Sequence, residues 1–277
     1  MSPAAERARL VAALRVAGHE VVPSEAGFVC IELRRPVAPV VEALIVQGFA
    51  AAAMVAPGHE TCLRVVVSTA DANDALVQAL AALDLAWPKQ PRTVLHVGCG
   101  RDQPGKLHQE FRTDRWREIR LDIDTSVAPD IVASMTDMSP VGDASHDALY
   151  SSHTLEHLYW HDVPVALAEF RRVLRPQGMV LLRLPDLEEA CKRVAAGASL
   201  LDPLYESQVG PINALDMIFG YQKFLRDGNA YMAHRCGFSR QTLRDQLEAA
   251  GFASVEVHAD KHMNLWGRAW KPLPEVV

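Results

Sequence analysis

A chain of 277 residues has room for two domains, or for one large α/β domain, at roughly 150 residues per domain. Its apolar share of 49%, against 22% charged, excludes a wholly disordered or collagen-like chain, and at this length a core can be buried without covalent staples. The net charge of −6 comes without a basic stripe, since the densest pairs, Arg34–Arg35 and Arg171–Arg172, fall inside apolar patterns, so nucleic acid is not an expected partner.

In chain order, Glu6 to Ala17 carries Leu10, Val11, Leu14 and Ala17 at helical spacing, with Gly18 suited to the C′ position. Phe28 to Leu33 reads as a strand, Val40 to Gln47 as a helix stopped by Gly48, and Leu63 to Val67 as a β-branched strand. Asp71 is placed to cap a helix through Leu83. The order α-β-β-α-β-β-α predicts a small α+β layer domain over residues 1–88. The segment Trp87-Pro88-Lys89-Gln90-Pro91-Arg92 then reads as a linker.

This first part resembles the small domain of fold-type I aminotransferases, in particular the histidinol-phosphate branch. The stretches that carry the resemblance are "LVAALRVAGHEVVPSEAGFVCIEL" and "LRVVVSTADANDALVQALAAL". That family keeps its cofactor lysine in a large domain that precedes the small one. Here no lysine occurs before Lys89, and a pyridoxal Schiff base needs a lysine amine. The expectation is a non-catalytic domain without PLP. Arg64 matches the family's carboxylate-clamping arginine; it reads either as a live carboxylate site or as a leftover arginine on a strand end.

Beyond the linker, Thr93 to Val97 is an apolar strand running into Gly98-Cys99-Gly100, and Ile119 to Asp122 is a second strand ending in an acid. A glycine turn lets backbone approach a ligand closely, and an acid after the second strand can accept two ribose hydroxyls. Gln103 and Pro104 stand where a dinucleotide fingerprint wants its third glycine, which disfavours an NAD-dependent enzyme. Asp130–Ala133, His146–Ser152 and Met179–Leu184 supply further strands, separated by helical stretches from His153 to Trp160 and from Val163 to Leu174 and by a turn at Arg175–Gly178. Alternation on this scale predicts a doubly wound α/β sheet with helices on both faces.

"VLHVGCG", "IRLDID", "ASMTDM", "HDALYSSHTLEHL" and "EFRRVLRPQGMVLLRLPDL" together resemble class I S-adenosylmethionine-dependent methyltransferases, closest to a bacterial group of predicted methyltransferases. The resemblance covers about residues 92–270 and implies a Rossmann-like methyltransferase domain over 92–277 with S-adenosylmethionine as cofactor and S-adenosylhomocysteine as product. By motif, Gly98 and Gly100 would face the methionine part, Asp122 the ribose, Ile123 and Met135 the adenine ring, and Asp137 with the Thr136 amide its amino group. His96 and Ser152, at the ends of the first and fourth strands, complete the cofactor-facing positions. His96 departs from the family, whose first motif usually holds an acid there.

His153-Thr154-Leu155-Glu156-His157 matches the zinc pattern H-x-x-E-H, and His161 would extend it along one helix face. Its place directly after a strand reads instead as the methyltransferase "SSHTLEHL" segment, so no metal is expected. Residues 187–238 are too long for a plain connector and predict either a substrate cap or a structural or dimer-forming insertion; a homodimer is one expected assembly. His153 and His234 are the candidate bases and Asp186 the candidate substrate anchor. The expected reaction is methylation of an oxygen or nitrogen on a small polar metabolite. The alternative is an inactive cofactor-binding regulatory or scaffold protein.

Cys30, Cys62, Cys99, Cys191 and Cys236 are odd in number and widely spaced, which argues against disulfides and a zinc ribbon and for a reducing, cytoplasmic setting. Glu6, Arg7, Arg9 and Arg15 break any signal-peptide core. The longest apolar run, Phe49 to Ala56, is far short of the ~18 residues of a membrane span, so no membrane partner is expected.

Overall fold

The computed structural model describes residues 2–22, 27–54, 61–86, 91–207 and 210–272. Residues 87–90 of the expected linker lie outside them. The chain divides into two compact units, Met1–Pro91 and Arg92–Val277. Among the described residues no helix is long and apolar enough to cross a membrane.

The first unit runs α1 (Pro3–Val16), β1 (Glu20–Val22), β2 (Phe28–Glu32), α2 (Val37–Val46), β3 (Ala51–Ala53), β4 (Cys62–Val66) and α3 (Ala70–Ala86). Its four strands form an antiparallel sheet in the order β1-β2-β4-β3. Leu10 and Leu14 of α1, Ile31, Leu44, Leu63 and Leu80 fill its core. Gly18, at φ 82, lets the chain reverse after α1 so that the His19 amide donates to the Leu14 carbonyl at 2.9 Å. Three helix starts differ from the sequence reading: α1 begins at Pro3, before Glu6, with Ser2 as its cap. Pro36 opens α2 at Val37, and Thr69 takes the capping place expected of Asp71, its hydroxyl accepting from the Ala72 amide at 3.4 Å. Asp71 sits in the first turn, where its charge favours the helix dipole. Arg64 is exposed on β4 with its guanidinium over the Phe28 ring.

The second unit contains β5 (Arg92–Val97), β6 (Trp116–Asp122), β7 (Ile131–Val132), β8 (His146–Ser152), α4 (Val163–Val173) and β9 (Leu174–Pro185). The insertion follows with α5 (Leu187–Ala195), β10 (Pro203–Ser207), β11 (Gly210–Asn213), α6 (Ala214–Phe219) and α7 (Gln222–Arg226), and the chain ends with α8 (Arg240–Ala249), β12 (Ala253–Ala259) and β13 (Asn264–Trp270). The seven-stranded sheet has the order β12-β13-β9-β8-β5-β6-β7. From β9 to β7 neighbouring strands are parallel, while β13 is antiparallel to β9 and to β12. This is a Rossmann-like α/β sheet. From β5 the chain steps to β6 on one side and later returns to β8 on the other, which opens a crevice beyond their carboxyl ends.

Alternation along the strands divides the core. Leu95, Val97, Leu149, Val180 and Leu182 pack on one face against Leu167 and Phe170 of α4 and Leu243 and Leu247 of α8. The other face carries Val94, Trp116, Tyr150, Leu181, Trp266 and Trp270, with Leu107 and Phe111 packed over it. Here the expected two-sided helical cover fails. Within residues 98–115 the only helical element is a 3-10 turn at Gln109–Phe111, because Pro104 and Gly105, at φ 93, break a helix before it can start. The expected helix from His153 to Trp160 is also absent, replaced by 3-10 turns at Leu155–His157 and Trp160–Asp162. The Glu156 carbonyl accepts from the Arg235 and Cys236 amides at 2.8 and 3.2 Å, a long-range pairing in place of the bond that would carry a helix forward. The inserted elements gather on a cluster of Ala190, Ile212, Met217 and Met263.

Candidate functional site

The glycine turn is held in place by the strand beside it. The Gly98 and Cys99 amides donate to the Leu121 carbonyl at 2.9 and 3.2 Å. Gly98 and Gly100 have φ of 67° and 59°, the left-handed region that glycine enters at no steric cost. Asp122, at the carboxyl end of β6, accepts from the Gly100 amide at 2.7 Å through Oδ2 and from the Asp124 amide at 2.9 Å through Oδ1. A carboxylate offers about four acceptor sites, so each oxygen retains capacity for a further donor.

Around this acid the motif positions lie as follows. Ile123 is an apolar side chain 52% exposed. Met135 is half-buried against the main core. The Thr136 amide donates to Ser134 Oγ at 3.2 Å, and exposed Asp137 accepts from the Ser139 amide at 3.1 Å. Ser152 is half-buried at the end of β8, its carbonyl accepting from the Thr154 hydroxyl at 3.1 Å. Thr154 in turn packs on the glycine turn: a Cβ placed on Gly98 would stand 2.4 Å from Thr154 Cγ2.

His96 is 2% exposed, with Nδ1 2.6 Å from a Glu118 oxygen and its ring against Tyr150. His96 and Glu118 line a cavity of about 150 Å³ beside the turn, with Cys99, Lys106, Arg112 and Arg120 also in its wall. The carboxylate missing at position 96 is thus present one strand away. Glu118 went unnoticed in the sequence, although Glu118, Arg120 and Asp122 alternate along β6 and so share a face. Cys99 is buried, and burial pushes its thiol up to about 11; it is a small side chain in the turn and not a thiolate nucleophile.

The two candidate bases come together with Glu156, the acid of the H-x-x-E-H pattern. His153 has φ 53, its amide donates to the Arg183 carbonyl at 2.8 Å, and its Nδ1 is 3.4 Å from Glu156 Oε1. Glu156 is 1% exposed. Burial pushes its pKa upward, but His153, His157 and His234 outweigh that and hold the carboxyl below its ordinary value. His234 Nδ1 lies 2.8 Å from the Met217 carbonyl and His157 Nδ1 3.2 Å from that of Ala233. The two rings are 5.1 Å apart. His161, by contrast, is exposed beside Asp162, so the histidine face expected along a helix does not form.

Asp186 is 4% exposed and caps α5, accepting from the Glu189 amide at 3.0 Å. Its own amide donates to Met263. These contacts give it a structural task in place of the substrate-anchoring one expected.

No curated protein matches the chain. Similar solved structures include an S-adenosylmethionine-dependent methyltransferase from Archaeoglobus fulgidus, at 16% identity over 71% of this chain and 94% of that one, TM-score 0.43. Another from Methanosarcina mazei matches at 15% identity over 69% and 98%, TM-score 0.43. Human N-acetylserotonin methyltransferase matches at 14% identity over 66% and 48%, TM-score 0.44. Residues 95–182, the stretch from β5 into β9, match the family model of a methyltransferase domain.

Proposed function

We propose that the second unit transfers a methyl group from S-adenosylmethionine to an oxygen or nitrogen of a small polar metabolite. The observation that carries this reading is Asp122, which ties the glycine turn to the end of β6 and keeps acceptor capacity on both oxygens. Those lone pairs suit two ribose hydroxyls. Exposed Ile123 offers an apolar surface for one face of an adenine ring. Glu118 beside His96 suits an ammonium group, and Lys106 a carboxylate, in the cavity next to the turn. A dinucleotide would want a helix N-terminus for its phosphates, and none follows the turn within residues 98–115.

The cofactor's sulfonium supplies an already activated methyl group. What remains for the chain is alignment, which contributes ~7–11 kcal/mol in favourable cases. A hydroxyl or ammonium acceptor must also lose a proton. His153, just past β8 with Glu156 behind its ring, is the proposed base. His234 is a second: burial holds its pKa below the ordinary value, and its Nδ1 faces a carbonyl, so Nδ1 carries the hydrogen and Nε2 the lone pair. For the first unit we propose a reused aminotransferase-type small domain without Schiff-base chemistry.

Calorimetric titration with S-adenosylhomocysteine tests the reading. Wild type is expected to bind, and Asp122→Ala to lose affinity by at least ~100-fold, the equivalent of two hydrogen bonds to a charged group at ~1.5–3 kcal/mol each. Binding of NAD in its place would refute it. Cofactor binding with no turnover on any acceptor would leave a regulatory protein.

A further inference from the structure

We propose that Glu156, His157 and His234 hold a divalent metal ion of the zinc class, and that this ion receives an oxygen of the methyl acceptor. One ligand atom from each of the three residues lies within 4.8 Å of the others. Zinc bonds of ~2.0–2.2 Å to nitrogen and oxygen require closure on the order of 1 Å from there, within reach of small side-chain rotations.

The surroundings favour a cation independently of that spacing. Both Glu156 oxygens are buried and accept no well-aligned hydrogen bond from the protein; only the His153 ring stands near, at 3.4 Å from Oε1. A buried carboxylate in that state is costly unless a positive charge compensates it. The histidines are already set for coordination. His157 Nδ1 faces the Ala233 carbonyl and His234 Nδ1 that of Met217. A carbonyl only accepts, so each Nδ1 carries the proton and each Nε2 presents its lone pair. A carbonyl behind a histidine is a usual outer partner of a metal ligand. The backbone fixes the two halves of the site together: the Arg235 and Cys236 amides donate to the Glu156 carbonyl, and the Arg235 guanidinium donates to that of His157 at 2.9 Å.

Three protein ligands leave one position of a tetrahedral ion open, the arrangement of catalytic sites. Thr154, packed on Gly98, joins this segment to the glycine turn, so the ligand Glu156 lies two residues from that contact. The acceptor's place at the ion rests on the methyl-transfer reading. It selects an oxygen acceptor, a hydroxyl whose proton is released more readily once the oxygen is bound to a cation. The proton leaves to water, the O–CH₃ bond forms, and the S–CH₃ bond breaks with its electron pair remaining on sulfur. It also removes His234 from the candidate bases.

The test uses the full chain, stripped with chelator and titrated with zinc, and with cobalt(II) as a spectroscopic probe. The expected result is one equivalent of zinc and saturable visible cobalt bands. His157→Ala and His234→Ala each weaken binding by more than ~100-fold, beyond the 10–100-fold usual for loss of an outer partner. Glu156→Gln, which keeps shape and removes charge, weakens it too and serves should an alanine variant not fold. His161→Ala, outside the cluster, binds as wild type. Substoichiometric zinc in the wild type, wild-type affinity in His234→Ala or Glu156→Gln, or equal loss in His161→Ala would overturn the proposal. S-adenosylhomocysteine titration of the same samples separates the two readings: zinc bound without it refutes methyl transfer and leaves the metal site standing, and the reverse refutes the metal site alone.

Discussion

Replacing Gly98 by alanine isolates what the glycine turn demands. The residue sits at φ 67, and left-handed backbone costs an L-residue ~1–2 kcal/mol. The new Cβ would also stand 2.4 Å from Thr154 Cγ2 and 2.5 Å from its Oγ1, and overpacking of that kind costs ~1–3 kcal/mol. Together these give ~2–5 kcal/mol. In a cooperative unit of 150–250 residues, each kcal/mol moves Tm by ~2–4 °C, so the expected fall is roughly 4–20 °C. The two causes separate in a second variant. Thr154→Ala in the Gly98→Ala background removes the steric part and leaves the backbone part, so about half of the loss returns. Differential scanning calorimetry reads both. A Gly98→Ala protein melting within ~2 °C of wild type, or one that Thr154→Ala does not rescue, would refute this account of the turn.

His146 is buried with Nδ1 3.2 Å from Thr93 Oγ1, and burial, aided by Arg175, lowers its pKa from 6.5 to about 4. Above pH 6.5 both folded and unfolded chains hold it neutral. As pH falls toward 4 the unfolded chain takes up the proton first, and each pH unit crossed between those two values removes ~1.4 kcal/mol of stability. Urea denaturation at pH 7 and 4.5 should show His146→Gln losing roughly 2 kcal/mol less than wild type over that interval; parallel losses would exclude the residue. Arg172 bonds Glu169, Asp143 and the carbonyls of Val141 and Met138, a fork that lysine cannot reproduce. Arg172→Lys should cost ~1–3 kcal/mol in the same assay, and a change below ~0.5 kcal/mol would count against that network. Gly220, at φ 96, would place a Cβ 2.0 Å from the Met232 carbonyl oxygen. Gly220→Ala should therefore displace the segment leading to His234 and weaken zinc binding with S-adenosylhomocysteine affinity intact; unchanged zinc affinity would show that the segment adjusts freely.

Where the interaction is local, the sequence was a good guide. Gly18 and Gly48 end helices, and the near-continuous apolar runs of β5 and β9 follow from burial on both sheet faces. The misreadings share one cause. His153 to Trp160 has a helical composition, yet Arg235 and Cys236 claim the carbonyl of Glu156 from far along the chain. The meeting of Glu156 with His234 is likewise invisible in H-x-x-E-H, because the third ligand arrives only when the insertion folds back. Asp186 looked like an anchor because it follows a strand; the next residues turn it into a helix cap.

The irregular, aromatic cover of the second unit has an optical consequence. All five tryptophans and all five tyrosines of the chain lie at or after position 87, and Trp116, Trp266 and Trp270 lie on the sheet face beneath that cover. Trp87 precedes the second unit, so in a Trp87→Phe variant intrinsic fluorescence reports on the second unit, whereas far-ultraviolet dichroism sums over both. Superimposable unfolding curves from the two methods would mean that the units melt as one; separated curves would give each its own stability, with no label and no truncation.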